Sequence, residues 1–348
     1  MSNAPTISNE EAIRNLRYLV DDFLPEARWT LGGAFRFDTS LQTIARFLED
    51  YLGVRRVAEV AGSVPCLWSL DWFVQRRPLP LQRYAELLEA YAKQNRGVIL
   101  VFDNPFITPE ILEDAYSNRL VQELYDRDRV RLNAVCVASD CLAEHIRSRW
   151  PKLPLRCHHN RAVTAQGRRS AAMYNKWLEQ YALVDLHPAD AARPSVYGGI
   201  TELGKCTAVL NDACLRTCPV RREHLQLLTA MRQHPYDAVL MQRRADLLAR
   251  TGCEKVHPDE LKQKAVCALT RNEAKALYAA GCRRFIIQAH QFRNEMTFLW
   301  DIFTCLFPPT PELSNRCALI ASSAMAEFGK AQYRLSSGLG KFSFSNAE

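Results

Sequence analysis

The sequence has no apolar run near the ~20 residues that a helix needs to cross a bilayer, which excludes an ordinary membrane-spanning protein. Its first residues, MSNAPTISNEE, are polar and acidic, so the basic start and apolar core of a secretory signal are missing. Low-complexity tracts and period-marked repeats are also absent. We therefore expect a soluble, cytoplasmic protein without a membrane partner.

Concentrated charge is lacking as well. The formal net charge is +7, but the basic residues are spread along the chain and cluster only in short pairs such as Arg221–Arg222. A diffuse basic excess attracts anionic substrates, whereas a nucleic-acid binder carries a dense basic stripe. The composition therefore favours a small-molecule or peptide substrate and argues against nucleic acid.

The twelve cysteines are too few and too scattered for a disulfide scaffold in 348 residues. C-x₂-C pairs, from which a tetrathiolate zinc site is usually built, do not occur. Several cysteines sit inside apolar, strand-like runs and are expected to be small buried hydrophobes. Burial in a strand does not explain the remaining cysteines, which lie outside such runs.

Short β-rich runs alternate with helical patterns along most of the chain. The runs are continuous and apolar, as expected of parallel strands buried on both faces. Eight of them predict an α/β protein, a single TIM-like (β/α)₈ barrel, with a doubly wound open sheet as the competing architecture. The predicted strands are 57–62, 97–102, 132–138, 154–158, 182–187, 206–211, 264–269 and 284–289.

This reading divides the chain into three parts. Residues 1–55 form an N-terminal helical segment, with helices at 9–27 and 41–52 that cover the N-terminal side of the barrel. The barrel occupies 56–292 and includes an insertion at 234–263, between the predicted sixth and seventh strands. Residues 293–348 form a helical tail outside the barrel.

The strongest local signal is the loop NDACLRTCPVRREH, where the chain leaves the predicted sixth strand. Cys214 and Cys218 lie four residues apart, and Pro219 opens the next helix at a tolerated position. A helix N-terminus favours thiolates, and thiolates select zinc or iron–sulfur clusters. A radical-SAM loop would need a cysteine at position 221, which is Arg.

Further ligands must come from elsewhere in the chain. Cys253, in the polar segment TGCEKVHPDE, is the predicted third ligand, and Cys66 is a candidate for the fourth. Among the polar residues after the strands, His159 and His224 are candidate acid/base groups, and Arg221 is a candidate anion clamp.

Together with VFDNPFITPEIL, the cysteine loop resembles a bacterial and phage group of barrel proteins distantly related to the collagenase-like peptidases and the ubiquinone-hydroxylation accessory proteins. The shared pattern is a strand ending in Asn–x–x–Cys–x₃–Cys–Pro–x–Arg, followed by a helix with a Glu–His pair and by a downstream cysteine matched by Cys253. The likeness covers residues 57–292. It implies an enzyme that holds a [4Fe-4S] cluster with Cys214, Cys218 and Cys253.

Two departures from the group concern the site. No fourth cysteine is placed, which leaves Cys66, another residue or an open iron as the fourth position. The segment FIIQAHQFRN carries Gln288 and His290 where relatives have an acidic, Gly–Arg-containing segment, so the substrate site is expected to have diverged.

The leading hypothesis is an iron–sulfur oxidoreductase or modifying enzyme, with redox or oxygen-independent hydroxylation of a small or peptide-bound substrate at the barrel mouth. His159, His224 and His290 would move protons, and Arg221 or Arg293 would orient an anion. One alternative is a zinc or metal-free hydrolase or lyase. Another is a non-catalytic, cluster-bearing accessory subunit with a redox partner or a paralogous subunit.

Overall fold

Eight short parallel strands, β1 to β8 in chain order, hydrogen-bond to their sequence neighbours, and the first also hydrogen-bonds to the last. The barrel is therefore closed and confirms the (β/α)₈ prediction. The strands are β1 Arg28–Gly32, β2 Val57–Gly62, β3 Gly97–Phe102, β4 Ala134–Val137, β5 Leu155–Cys157, β6 Leu183–Leu186, β7 Cys206–Val209 and β8 Arg284–Ile287. The computed structural model describes residues 22–37, 40–50, 57–70, 78–128, 132–165, 169–212, 214–216, 218–251, 269–289 and 295–307.

Helices connect successive strands in the described part of the chain. They are α1 Ser40–Asp50, α2 Leu81–Ala92, α3 Pro109–Leu112, α4 Ala115–Asp126, α5 Asp140–Arg149, α6 Ala171–Leu178, α7 Pro188–Ala191, α8 Pro194–Tyr197, α9 Arg221–Gln233, α10 Ala238–Thr251, α11 Arg271–Ala279 and α12 Glu295–Leu306, with 3₁₀ turns at His159–Val163 and Leu203–Lys205. None of the described helices is both long and apolar enough to span a bilayer.

Local sequence signals set several helix ends. Ser139 caps α5 by accepting the backbone N–H of Leu142, and Thr270 and Glu273 form the reciprocal capping box expected at α11. Gly281, just beyond α11, has a φ of 118°, which a residue with a side chain rarely adopts. Asp114 accepts the backbone N–H of Ser117 and thereby begins α4 directly after the short helix α3.

Alternate strand residues face two different environments. Val60, Leu100 and Val135 belong to the large apolar cluster that joins the strands to the surrounding helices. Their neighbours Ile99 and Cys136 form a separate small cluster inside the barrel. This period of two is what a closed parallel sheet covered by helices requires.

The barrel interior also holds charge. Glu59 on β2 accepts two hydrogen bonds from Arg156 on β5, at 2.9 and 2.5 Å, and a third from Thr30 at 3.2 Å. Arg284 on β8 lies 3.8 Å from the same carboxylate. Burial opposes ionisation of Glu59, but Arg156 outweighs it and lowers the pKa of Glu59. A buried ion pair therefore links opposite walls of the barrel.

The predicted strand list is wrong at two places. The first barrel strand is Arg28–Gly32, which pairs with both β2 and β8, so the barrel wall includes residues assigned to the N-terminal helical segment. Helix α1 follows this strand and connects it to β2, so it does not precede the barrel as predicted. The missed strand, RWTLG, is short and begins with a charged residue, which hides it among helical patterns.

The second correction concerns 264–269. β7 pairs directly with β8, and the eight described strands close the barrel without that segment. Of its residues only Leu269 is described, and its backbone N–H donates to Leu210 just after β7. The cysteine loop accordingly follows the seventh strand instead of the sixth.

Replacing Glu59 with Gln tests the buried ion pair. The variant leaves the Arg156 guanidinium buried without its carboxylate, which costs about 3–5 kcal/mol in comparable cases. Urea unfolding should show a correspondingly lower free energy of unfolding. Glu86→Gln removes the exposed pair with Arg83 and should leave the unfolding curve unchanged. Equal losses in the two variants would contradict the assignment.

Asp185 on β6 supplies a second test. Burial raises the pKa of this carboxyl to about 7 despite the opposing charge of Arg156. The folded state therefore holds a proton that the unfolded state releases near pH 4, so stability falls as pH rises between these values, by at most about 1.4 kcal/mol per pH unit. Asp185→Asn should remove this slope in denaturation measured across that window, whereas the exposed Asp126→Asn should preserve it.

Candidate functional site

Histidines follow β5 and β6 at the barrel mouth where the carboxyl ends of the strands meet. His158 caps the 3₁₀ turn after β5 by accepting the backbone N–H of Asn160 at Nδ1, at 3.2 Å. His187 caps α7 in the same way, accepting from Ala189 at 3.2 Å. Because Nδ1 is an acceptor in both rings, the proton of each neutral ring lies on Nε2.

A buried network behind the mouth supports His187. The hydroxyl of Tyr174 donates to Asp190 Oδ2 at 2.7 Å and accepts the backbone N–H of His187 at 3.1 Å. Arg169 lies 3.0 Å from the Asp190 carboxylate, and Arg193 pairs with its other oxygen. Asp190 is fully buried, so these partners hold its charge and, through Tyr174, the position of His187.

The two cysteines of the loop after β7 lie close enough for their thiols to interact. A hydrogen bond from the Cys214 thiol lowers the pKa of Cys218 to about 6, helped by the backbone of Val220 and the charge of Arg221. The same hydrogen bond, together with burial, raises the pKa of Cys214. The backbone N–H of Cys214 donates to Asp212 Oδ1 at 3.2 Å, and this hydrogen bond helps to fix the position of Cys214. The loop thus presents a thiolate and a thiol side by side.

Arg221, the first residue of α9, joins the cysteine loop to the histidines. Only 8% of the residue is exposed, and its Nη2 donates to Asn160 Oδ1 at 3.1 Å. The same nitrogen lies 3.5 Å from Asp212 Oδ2, which in turn lies 4.0 Å from His159 Nε2. The ends of β5 and β7 therefore form one site.

Burial, followed by charge from nearby groups, keeps the histidines neutral. It lowers the pKa of His158 and His159 well below the ordinary value, and that of His187 to about 2, with Arg221 contributing in each case. The pKa of His224 falls to about 4 through burial, Arg244 and Arg221. At neutral pH these rings act as hydrogen-bond donors or as bases, not as charged acids.

Several donors at this mouth have no acceptor among the described residues. They are Nε2 of His187 and both Nε and Nη1 of Arg221. Nδ1 of His159, a ring that is 3% exposed, is likewise unpartnered in the described part of the chain. Leaving a buried donor unpaired costs about 1–3 kcal/mol, so these groups favour the approach of a hydrogen-bond acceptor.

The structure brings five of the predicted site residues to this mouth, namely Cys214, Cys218, His159, His224 and Arg221. Cys253, His290 and Arg293 lie outside the described residues. The Cys66 thiol is buried, contacts Ser69 and also bonds Ser117 of α4, so it belongs to the packing between barrel and helices.

The charged interior residues were missed by the sequence reasoning. Glu59, Arg156 and Asp185 stand within otherwise apolar strands, in the runs VAEVAG, PLRCH and ALVDLH. An ionisable residue inside a strand buried on both faces is the signal that identifies them. Asp190 and Tyr174 leave no comparable signal, because the hydrogen bond between them joins two different helices.

No protein-family model matches the sequence, and no curated protein does. Among solved structures, the chain is similar to one titled "The Structure of the U32 Peptidase Mk0906", with a TM-score of 0.48 and 14% sequence identity. The match covers 77% of this chain and 94% of that one. This likeness is too low to transfer residue roles, so the chemistry must follow from the geometry of this chain.

The thiol pair makes a prediction about reactivity. In metal-free protein, alkylation of Cys218 by iodoacetamide should accelerate as pH rises through about 6, because the thiolate is the nucleophile. Cys214→Ala removes the hydrogen bond and should move this midpoint toward the ordinary thiol range. Peptide mapping by mass spectrometry identifies the modified residue. Cys141→Ala, on α5, is the control, and a Cys218 midpoint near 8.5 would contradict the contact.

Proposed function

We propose that this chain is an iron–sulfur-dependent enzyme that acts at the carboxyl-terminal mouth of the barrel. The observation that carries the proposal is the proximity of the Cys214 and Cys218 thiols, which interact with each other and with Arg221. A low pKa makes Cys218 a thiolate at neutral pH, which is the form that binds soft metals. The guanidinium of Arg221 offsets the negative charge of the sulfurs.

Two described residues, Cys214 and Cys218, could each provide one ligand to a cluster. Among the described residues, these two cysteines have no third Cys, His, Asp or Glu within metal-binding reach. Cys253 remains the proposed third ligand. In support, Arg250 at the end of α10 lies 3.4 Å from Glu223 in the first turn of α9, and Thr251 is the last described residue before Cys253.

A bound [4Fe-4S] cluster would supply redox chemistry or Lewis acidity at this mouth. The chain's own residues would do the rest. Arg221 orients substrate charge, and the neutral rings of His159 and His224 accept protons. His290 and Arg293 stay predicted members of the site. Hydroxylation of a small or peptide-bound substrate, with a redox partner or paralogous subunit, is the reaction we propose within this class.

A zinc hydrolase or lyase is the competing function, and one observation favours it. Possible ligand atoms of His158, His159 and Asp185 lie within 4.8 Å of one another, and all three residues are buried. Two features weigh against a metal there. First, the His158 and His159 rings pack against each other, with 4.1 Å between their centroids. Second, Nδ1 of His158 already accepts the backbone N–H of Asn160. For His158 Nε2 to offer a metal its lone pair, the ring proton would have to move to Nδ1. That tautomer could no longer accept the Asn160 N–H, so the cap of the 3₁₀ turn would be lost.

Anaerobic purification with iron, sulfide and zinc analysis tests the proposal. The wild-type chain should be brown, with about four iron and four sulfide per chain for a [4Fe-4S] cluster. Cys214→Ala, Cys218→Ala and Cys253→Ala should each lose most of the iron, since each removes a ligand. Cys141→Ala should retain it.

Two results would reject the iron–sulfur proposal. One is a colourless anaerobic preparation without iron. The other is stoichiometric zinc together with activity that survives Cys214→Ala, which would favour the hydrolase. A cluster-bearing chain that turns nothing over alone and co-purifies with a paralogue would assign it to the accessory class.

A further inference from the structure

Three arginines act on His187, of which Arg221 is buried and Arg169 and Arg193 are partly exposed. Arg221, Arg169 and Arg193 each lower its pKa, after burial itself, so all three guanidiniums lie within electrostatic reach of this ring. Asp190 pairs with Arg169 and Arg193, and Asp212 faces Arg221. Arg169 and Arg193 are partly exposed, so water screens their charges, whereas Arg221 is buried and faces the Asp212 carboxylate and the cysteine pair.

The unpartnered donors of the mouth lie in this same region. His187 is 1% exposed, and its Nε2 carries the ring proton because Nδ1 accepts the Ala189 N–H. The rings of His187 and His159 are 6.4 Å apart between centroids and nearly perpendicular. Asp212 Oδ2 lies 3.5 Å from Arg221 Nη2 and 4.0 Å from His159 Nε2, which places the guanidinium near the His159 ring. Nε and Nη1 of Arg221 have no acceptor in the described part of the chain.

We propose that Arg221, His187 and His159 form a binding site for an oxyanion, a carboxylate or phosphate group of the substrate. An oxyanion supplies acceptors for the N–H groups of Arg221 that have none among the described residues, and for His187 Nε2–H. The neutral ring of His159 adjusts its tautomer to donate as well.

A metal cation is the other occupant that these residues suggest. It would meet the charge of Arg221, and His187 would offer it an N–H instead of a lone pair. The chemistry of the donors therefore favours an anion. The inference rests on the proposed function only for the purpose of the site, as the place where a substrate is held, because anion binding itself requires no iron.

Isothermal titration of the full-length, iron-free chain with inorganic phosphate and, separately, with succinate tests the proposal. Ionic strength is held constant so that general screening does not change. At least one probe should bind with one site per chain, and the tighter probe identifies the chemical class. Because the iron-free chain is used, failure here is distinguishable from failure of the iron–sulfur proposal.

Four variants, one of them a control, locate the site. Arg221→Gln should weaken binding at least tenfold. His187→Asn should weaken it several-fold while the asparagine still caps α7. Arg222→Gln is the matched control, since it removes the same charge at the next, exposed residue, and it should change affinity less than twofold. Circular dichroism checks folding, and Arg221→Lys, which keeps the charge but loses the forked donors, should bind more weakly than wild type.

Three outcomes would overturn the proposal. Neither probe binds the wild-type chain at 10 mM, a ceiling far above the roughly micromolar-to-millimolar range of typical substrate sites. Arg222→Gln weakens binding as much as Arg221→Gln, which would indicate diffuse surface attraction. Zinc binds in a manner that depends on His159 and not on Arg221 while no anion binds, which would assign the site to a cation.

Discussion

Hydrogen bonding of β1 to both β2 and β8 closes the sheet, and the functional mouth exists only because of that closure. With all eight strands parallel, every carboxyl end opens at the same side. The histidines after β5 and β6 therefore face the cysteine loop after β7 across a short distance. Arg221 spans the gap by contacting Asn160 and Asp212.

Burial sets the charge state of the groups around this opening. It keeps His158, His159 and His187 neutral and raises the pKa of Asp185, whereas guanidiniums remain charged in the same surroundings. The charges that remain are those with a partner, such as Glu59 with Arg156 inside the barrel. At the mouth, Arg221 faces Asp212, but its Nε and Nη1 have no acceptor among the residues that the structure describes. Both the cysteine pair and the proposed anion site depend on that one buried cation.

The barrel was predictable because strands buried on both faces must be short and apolar and must alternate with helices. GVILVF and the capping box at Thr270 carry that information locally. RWTLG carries little of it, so β1 was missed. The segment 264–269 is short and apolar, so it was assigned as a barrel strand, although β7 pairs directly with β8. Both errors concern pairing partners far apart in sequence. A strand's place in a sheet depends on such partners more than on its own composition.

The sequence alone determined the fold class, the side of the barrel that carries the polar residues, and the cysteine spacing that directs attention to one loop. These are local properties, fixed by hydrophobic period, caps and the order of residues within a loop. Only the tertiary structure decided that the two thiols interact, that Arg221 is buried between Asp212 and Asn160, and that the N–H of His187 has no acceptor among the described residues. Those properties depend on distances between residues from three different strands, and such distances are established only when the barrel closes.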